Sequence, residues 1–174
     1  IFISGIYIIG NIQQNLYQSR YQEMKYTAGR ISDTLELAYT SNEQDLAEVF
    51  AEVVTSLLNE GGNEEGLLMY LLDPSGELLY SRSGEINPAD LASRTVLGAV
   101  AGEESRELYV HQVTENGVER TVGDYAAPVE RGGETWYILL LRQSVSDIEA
   151  TMQNNTVIIV MASLLAIAVS ALLA

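Results

Sequence analysis

The stretch TWYILLLRQ, residues 135–143, decides the fold that we predict for this chain. It is nearly continuous in apolar residues, which is typical of a strand covered on both of its faces. The four residues before it, RGGE at 131–134, carry the two adjacent glycines of a turn. We therefore expect residues 135–143 to be a central strand that follows an earlier strand through a tight turn.

Four more strand-like segments precede this one. Residues 67–72 are a short apolar run, and the DPSG that follows has proline and glycine where a type I turn favours them. Residues 77–82 complete that hairpin. Residues 107–114 alternate in polarity, and residues 118–129 return after a second turn. Because the connections are short, we predict an α+β fold with a five-stranded antiparallel sheet and helices gathered on one side.

Helices are predicted on both sides of these strands along the chain. Residues 11–39 contain no proline and one glycine, so we expect a long N-terminal helix that continues from the preceding apolar residues. Ser41 and Gln44 match a capping box for a second helix, which Gly61 and Gly62 end. A short helix is capped by Asn87, and a helical stretch over residues 91–101 ends at Gly102. Residue Ser144 or Ser146 is placed to cap a final helix.

The long helix carries an apolar seam whose members are spaced alternately by four and three residues. The seam residues are Tyr17, Tyr21, Met24, Ala28, Ile31, Leu35 and Ala38. About three heptads of this kind are compatible with a coiled coil between two subunits of a homodimer. The same spacing also suits a helix that packs on the sheet of its own domain, and the sequence leaves both interpretations open.

Both ends of the chain are apolar. Residues 157–174, VIIVMASLLAIAVSALLA, contain no charge, proline or glycine, and as a helix they would reach ~27 Å, most of the hydrocarbon core of a bilayer. Residues 1–10 are uncharged but too few to span a bilayer, so we interpret them as the outer end of a truncated first membrane helix. The predicted division is 1–10 for this first span, 11–153 for a folded domain, and 154–174 for a second span.

Charge is confined to the part between the two apolar ends. The chain has 24 acidic and 9 basic residues, a net charge of -15, and all of them lie between Arg20 and Glu149. Basic residues near the membrane mark cytoplasmic segments, and here the flanks carry none. We therefore expect a cell-membrane protein whose residues 11–153 are extracytoplasmic. The acidic surface argues against nucleic acid as a partner.

The sequence offers few options for catalysis. Cysteine is absent, His111 is the only histidine, and no nucleophile elbow, phosphate-binding loop or zinc motif occurs. We therefore predict no catalytic residues, no metal site and no cofactor. Polar and aromatic residues of the sheet could instead line a small-molecule site between the sheet and the short helices. The candidates are Tyr80, Arg82, Tyr109, His111, Arg120, Asp124, Tyr125 and Arg142.

Three segments carry a resemblance to a known family: LLDPSGELLYS at 71–81, NPADLASRTVLGAVAGEE at 87–104, and ERTVGDYAAPVERGGETWYILLLRQSVSDIEATMQ at 119–153. They resemble the extracytoplasmic sensor domains, of PAS-like or single Cache type, of bacterial two-component sensor histidine kinases. The matching positions are Asp73, Gly76, Gly102, residues 126–129 and residues 136–141. The resemblance implies the sheet order 2-1-5-4-3 with a long membrane-connected helix packed across it. The residue set that marks amino-acid-binding Cache domains is not convincingly matched, so the resemblance implies no particular ligand.

These observations together predict the signal input region of a sensor histidine kinase. A cue outside the cell would be passed through paired membrane helices, with the kinase activity in another part of the full-length protein. A chemoreceptor input domain is the nearest alternative. The other is a non-signalling envelope scaffold that binds membrane or cell-wall proteins.

Overall fold

A five-stranded antiparallel sheet lies at the centre of the computed structural model, which describes residues 2–39, 45–61, 66–81, 91–115 and 118–173. The strands are β1 (Leu67–Leu72), β2 (Leu78–Ser81), β3 (Tyr109–Glu115), β4 (Val118–Arg131) and β5 (Glu134–Ser144). Their order across the sheet is β2-β1-β5-β4-β3, and every neighbouring pair is antiparallel. This is the order that the family resemblance implied.

Strand β5 is the central strand, as the apolar run predicts. It pairs with β1 on one side and with β4 on the other, and its residues 137–141 are all fully buried. Gly132 and Gly133 make the turn from β4 with φ of 67° and 89°. Two successive residues with positive φ form the turn type that joins antiparallel strands most tightly, which explains the paired glycines.

Two helices precede the sheet in the chain. Helix α1 (Phe2–Ala38) is continuous, with no break at residues 10–15, and helix α2 covers Leu46–Gly61. Ser41, Gln44 and Gly62 lie outside the described residues. The α2 start that the structure describes uses another residue, because the Asp45 carboxylate accepts a hydrogen bond from the Ala47 backbone N–H at 2.9 Å.

The short helix between β2 and β3 is shorter than the sequence indicates. Helix α3 covers Arg94–Val100, because the Ser93 hydroxyl caps it by accepting from the Val96 N–H. Gly102 has φ 83° and follows the helix end, as predicted. The cap predicted at Asn87 lies outside the described residues. The final helix, α4, covers Ser146–Leu173, and the Ser144 hydroxyl accepts from the Ser146 N–H at its start.

The helices lie on both faces of the sheet, which corrects the expectation of one-sided packing. Helices α1 and α2 pack on the face that carries Met69, Leu71, Tyr125, Tyr137, Leu139 and Leu141. Helix α3 packs on the opposite face, against Tyr70, Leu72, Ala126, Ile138 and Leu140. Successive residues of a strand point to opposite faces, so the unbroken apolar run of β5 supplies both layers.

The apolar seam of α1 lies largely in the core of its own domain. Tyr21, Met24, Ala28, Ile31 and Leu35 are 6% exposed or less and pack against α2 and the sheet. Tyr17 is half-buried, and Ala38 is exposed. The five buried side chains are therefore committed to the intramolecular arrangement, which is one of the two interpretations left open by the sequence. Homodimerisation itself stays a prediction.

The two long helices meet where they leave the sheet. Val145, Ile148 and Met152 of the chain's end form a buried cluster, which we call the helix junction, with partly buried residues of α1 and β3. The α1 residues of the junction are Ile9, Ile12, Leu16 and Tyr17. At the edge of the junction, Arg20 binds the Asp147 carboxylate at 2.8 Å. Helix α1, which precedes the sheet in the chain, and helix α4, which follows it, are therefore packed against each other.

Beyond the junction, α4 emerges from the fold. Among the described residues, one helix is long and apolar enough to cross a membrane, namely the 27 residues 146–172 of α4. Of the apolar 18-residue stretch of this helix, 6% is buried inside the structure. A core helix of a soluble protein would be mostly buried. In the apolar part of α4, the hydroxyls of Ser163 and Ser170 donate to carbonyls four residues back in the same helix.

Candidate ligand site

The register of the sheet brings three polar residues side by side. Asp124 of β4 is paired with Tyr109 of β3 and with Arg142 of β5, so their side chains lie on the same face. His111 is two residues along β3 and lies on that face as well. This is the face that α3 covers.

Arg142 and Asp124 form a buried ion pair with two hydrogen bonds. The guanidinium Nε donates to Oδ1 of Asp124 at 2.7 Å, and Nη2 donates to Oδ2 at 2.8 Å. The side chains are 2% and 0% exposed, respectively. A planar guanidinium fits a carboxylate in this two-point manner, which fixes both side chains.

His111 is the third side chain of this group. Its Nε2 lies 2.8 Å from Oδ2 of Asp124, and its ring stacks on Tyr109 with centroids 5.1 Å apart. Burial by itself raises the pKa of Asp124, but the hydrogen bonds from Arg142 and His111 outweigh it and hold the pKa below its usual range. Asp124 is therefore ionised at neutral pH and neutralises the arginine beside it.

An open cleft of about 390 Å³ adjoins this group, between α3 and the segment that leads into β3. We call residues 103–107 of that segment the cleft wall. The lining residues are Arg94, Thr95, Gly98, Glu103, Glu104, Ser105, Arg106, Glu107 and Tyr109. Tyr109 connects the two features, because it lines the cleft and stacks on His111.

Thr95 is the unusual residue of the cleft. It is 8% exposed, and its hydroxyl is buried without a hydrogen-bond partner among the residues that the structure describes. Leaving such a group unpaired costs about 1–3 kcal/mol. A polar ligand atom in the cleft would remove this cost if it reached the hydroxyl.

Hydrogen bonds and an ion pair connect the cleft wall to α1 and to β4. The Glu104 carboxylate accepts from the Tyr125 hydroxyl at 2.5 Å and lies 2.9 Å from Nζ of Lys25. These two contacts hold the pKa of Glu104 below its usual range. The Tyr21 hydroxyl donates to the Ser105 carbonyl at 3.0 Å, and the Ser105 N–H donates to the carbonyl of Ala126. The wall is thus positioned by α1 as much as by the sheet.

The structure brings together four of the eight predicted ligand residues: Tyr109, His111, Asp124 and Arg142. Arg120 lies on the same face but is exposed near the β3–β4 turn. Whether these residues contact a ligand stays a prediction.

Two of the other predicted residues, Tyr80 and Tyr125, lie on the opposite face of the sheet. Tyr80 is on the opposite face, because it pairs with Leu71, and its ring packs on Phe50 of α2. Tyr125 is also on that face, with its ring edge against Tyr21, and it reaches the cleft wall only from behind. Arg82 lies outside the described residues.

Sequence reasoning missed most of the cleft itself. The charged run EESRE at 103–107 follows the glycine that ends α3, and it resembles an ordinary solvated loop. The sequence feature that could have indicated the cleft was the close spacing of acidic and basic residues directly before a strand. Within the described part of the chain, no group of three or more histidine or acidic side chains is arranged to hold a metal ion.

Comparison with known proteins gives similarity in structure but not in sequence. No protein-family model matches the chain, and no curated protein does. The periplasmic sensory domain of the Campylobacter jejuni chemoreceptor Tlp1 superposes with a TM-score of 0.57 at 14% identity, covering 79% of this chain and 59% of that one. The ligand-binding domain of the Pseudomonas aeruginosa amino acid chemoreceptor PctC, in complex with GABA, gives 0.54 at 14% identity, covering 83% and 61%.

A third similar structure is the sensory domain of Campylobacter jejuni Tlp3 with isoleucine bound, with a TM-score of 0.51, 14% identity, and coverage of 83% and 59%. This chain thus spans about three fifths of each of these three domains. At such identities the likeness establishes the fold. The chain has the fold of extracytoplasmic PAS-like sensory domains, which confirms the expectation from the resemblance.

Proposed function

We propose that this chain is the extracytoplasmic sensory input region of a membrane receptor, and that the cleft between α3 and the cleft wall is its ligand site. The carrying observation is that cleft, whose lining includes the Thr95 hydroxyl, buried and without a hydrogen bond to any other described residue. Its volume falls within the roughly 300–1,000 Å³ of typical ligand sites. The shared fold with chemoreceptor sensory domains supports the assignment.

The charges of the cleft favour a small polar ligand with an anionic group. Arg94 and Arg106 line the cleft and make no ion pair with other described residues, and a guanidinium group binds a carboxylate through two parallel hydrogen bonds. Glu103 and Glu107 on the wall would suit a cationic group on the same ligand. The similar domains named above hold isoleucine and GABA, which combine the two charges.

The proposal also concerns where the domain lies in the cell and which module receives its signal. Helix α4 and the apolar start of α1 would enter the cell membrane, leaving residues 11–153 outside as part of a homodimer. The family resemblance favours a histidine kinase as the output module, whereas the similar solved structures favour a chemoreceptor. Both outputs use the same input principle, in which a ligand shifts an equilibrium between two arrangements of the helices.

A ligand panel tests the site. The full-length protein in nanodiscs is screened by thermal shift against the common amino acids, GABA and small carboxylic acids. We expect at least one compound to raise the melting temperature, and the variant Arg94→Ala/Arg106→Ala to abolish the shift. Arg30→Ala on the exposed side of α1 is the matched control and should keep it. A panel without any shift, or a shift that survives the double substitution, refutes the cleft as the site.

Cysteine labelling tests the location. Since residues 1–174 contain no cysteine, a single Ser75→Cys in the exposed β1–β2 turn gives this region one reactive thiol. A membrane-impermeant maleimide should label it in intact cells as fully as after lysis. Labelling that requires lysis would contradict an extracytoplasmic domain.

A further inference from the structure

We infer that Leu108 transmits movement of the cleft wall to the helix junction, so that the wall and the paired long helices shift together. The inference rests on the proposed function, since it gives the route by which an occupied cleft would act on the helices. It depends on three observations around residues 103–110.

The first observation is an alternation of side chains along this segment. Glu107 and Tyr109 line the cleft, whereas Leu108 and Val110, between and beside them, pack on the helix junction. Successive residues of an extended chain point to opposite sides, so one short segment contacts the ligand site on one side and the helices on the other. No other described segment is common to both the cleft and the junction.

The second observation is the close contact between Leu108 and Gly123 of β4. A Cβ built on Gly123 of β4 would lie 2.5 Å from Cδ2 and 2.7 Å from Cγ of Leu108. The leucine therefore fills the space that a side chain at position 123 would need. The sheet lies behind it and the junction in front of it. Leu108 also lines an open pocket of about 300 Å³ together with residues of α1, among them Gln14 and Tyr17. Movement of Leu108 away from the sheet is therefore movement towards α1.

The third observation is that the wall also holds α1 by polar contacts. Lys25 and Tyr21 bind Glu104 and Ser105, while Leu108 packs in the junction, whose α1 residues lie about one to four helical turns closer to the N-terminus of the helix. The wall thus contacts α1 at two levels, and Arg20 ties α1 to Asp147 of α4 between them. A shift of the wall would change how the two helices lie against each other.

The test measures helix spacing without any ligand. Spin labels on cysteines at Asn11 and Thr151, both exposed, report the distance between α1 and α4 in the full-length protein in nanodiscs. In Gly123→Ala, the new methyl group needs about 1–1.5 Å more room to reach a normal contact distance of roughly 3.5–4 Å from Leu108. We expect the label distance to shift on that scale. The matched control Gly29→Ala adds a methyl group where nothing lies within 4 Å and should leave it unchanged.

A rescue variant separates transmission from misfolding. Gly123→Ala combined with Leu108→Ala removes the overlapping side chain, so the double variant should return to the wild-type distance. If Gly123→Ala alone does not fold, Leu108→Ala carries the test and should broaden the distance distribution, because the junction loses its contact with the wall. A folded Gly123→Ala with the wild-type distance, or an unchanged distribution in Leu108→Ala, overturns the inference.

The two proposals fail separately. Unchanged spacing in these variants refutes Leu108 as the link and leaves the result of the ligand panel standing. A panel without any binding compound refutes the cleft as a ligand site, while the coupling between residues 103–110 and the helices is still measured directly.

Discussion

Removal of the buried Asp124 carboxylate is expected to destabilise the domain strongly. In Asp124→Asn the shape is kept, but the Arg142 guanidinium, 2% exposed, loses its counter-charge. With contacts of 2.7 and 2.8 Å the two charge centres are about 4 Å apart, which corresponds to about 4 kcal/mol at an effective dielectric constant of about 20. Measurements on broken buried pairs give about 3–5 kcal/mol. We therefore expect a loss of this size in the free energy of unfolding.

Urea unfolding followed by tryptophan fluorescence measures the loss. Trp136 is the only tryptophan, and it packs on Tyr39 and beneath Arg131 at the far end of β5, away from the substitution. With a slope of about 2 kcal/mol per M, the midpoint should fall by about 2 M urea. Asp33→Asn, an exposed aspartate on α1, is the control and should stay within about 0.5 kcal/mol of the wild type.

A double substitution and a pH series give the refuting outcomes. Asp124→Leu/Arg142→Met removes both charges, so it should lose much less stability than the single variant. The pKa of Asp124 is lowered by folding, so its contribution is present above the unfolded value of about 3.9 and is lost as the pH falls through the lower folded value. The gap between wild type and Asp124→Asn should thus narrow below about pH 4. A single variant within 1 kcal/mol of the wild type, or a double variant equally damaged, would refute the reasoning.

Two further predictions concern the β4–β5 turn and the cleft wall. Gly133→Ala places a methyl group on a residue with φ 89° and should cost about 1–2 kcal/mol in urea unfolding, whereas Gly29→Ala, inside α1, should gain about 0.5–1 kcal/mol; equal effects would contradict the conformational argument. Tyr125→Phe removes the hydrogen bond that contributes most to the low pKa of Glu104, so that pKa should rise, as measured by NMR titration of the labelled Glu104 carboxyl carbon. An unchanged titration would mean that the tyrosine does not bind the carboxylate in solution.

The sheet could be predicted from the sequence because its signals are local. The apolar run of β5 identifies a central strand. The DPSG turn and the paired glycines each identify two strands that are neighbours in the sheet. In the turn, the Asp73 carboxylate accepts from the N–H groups of Ser75 and Glu77, a local contact that favours aspartate at the first position of such a turn. The order of the five strands came from the family resemblance, since nothing local decides which strands become neighbours across the sheet.

The faces of the sheet could not be predicted in the same way. Tyr80 and Tyr125 were expected in the ligand site, but the face of a strand residue depends on its register with the neighbouring strand. The β1–β2 register shifts between Leu71 and Leu72, so parity cannot be carried across that hairpin. The surroundings of Arg142 could be predicted from the sequence, because a charged residue within an otherwise apolar central strand must meet a counter-charge.

The seam of α1 illustrates a second limit. A spacing of four and three describes one apolar face of a helix, and it is the same for a helix on a sheet and for a helix on a partner helix. What distinguishes the two is the apolar layer of the sheet opposite the helix, which is assembled from β1, β4 and β5. That layer is made from residues distant in sequence.

Helix α1 is a single rod of 37 residues, about 55 Å long at 1.5 Å per residue. The helix junction and the Arg20–Asp147 pair hold it against α4 near one third of its length from the N-terminus. A tilt of about 3° about that point would move the end of the longer part by about 2 Å and the end of the shorter part by about 1 Å in the opposite direction. A rigid helix held at one place would thus carry a small change at one end to the other without any bending.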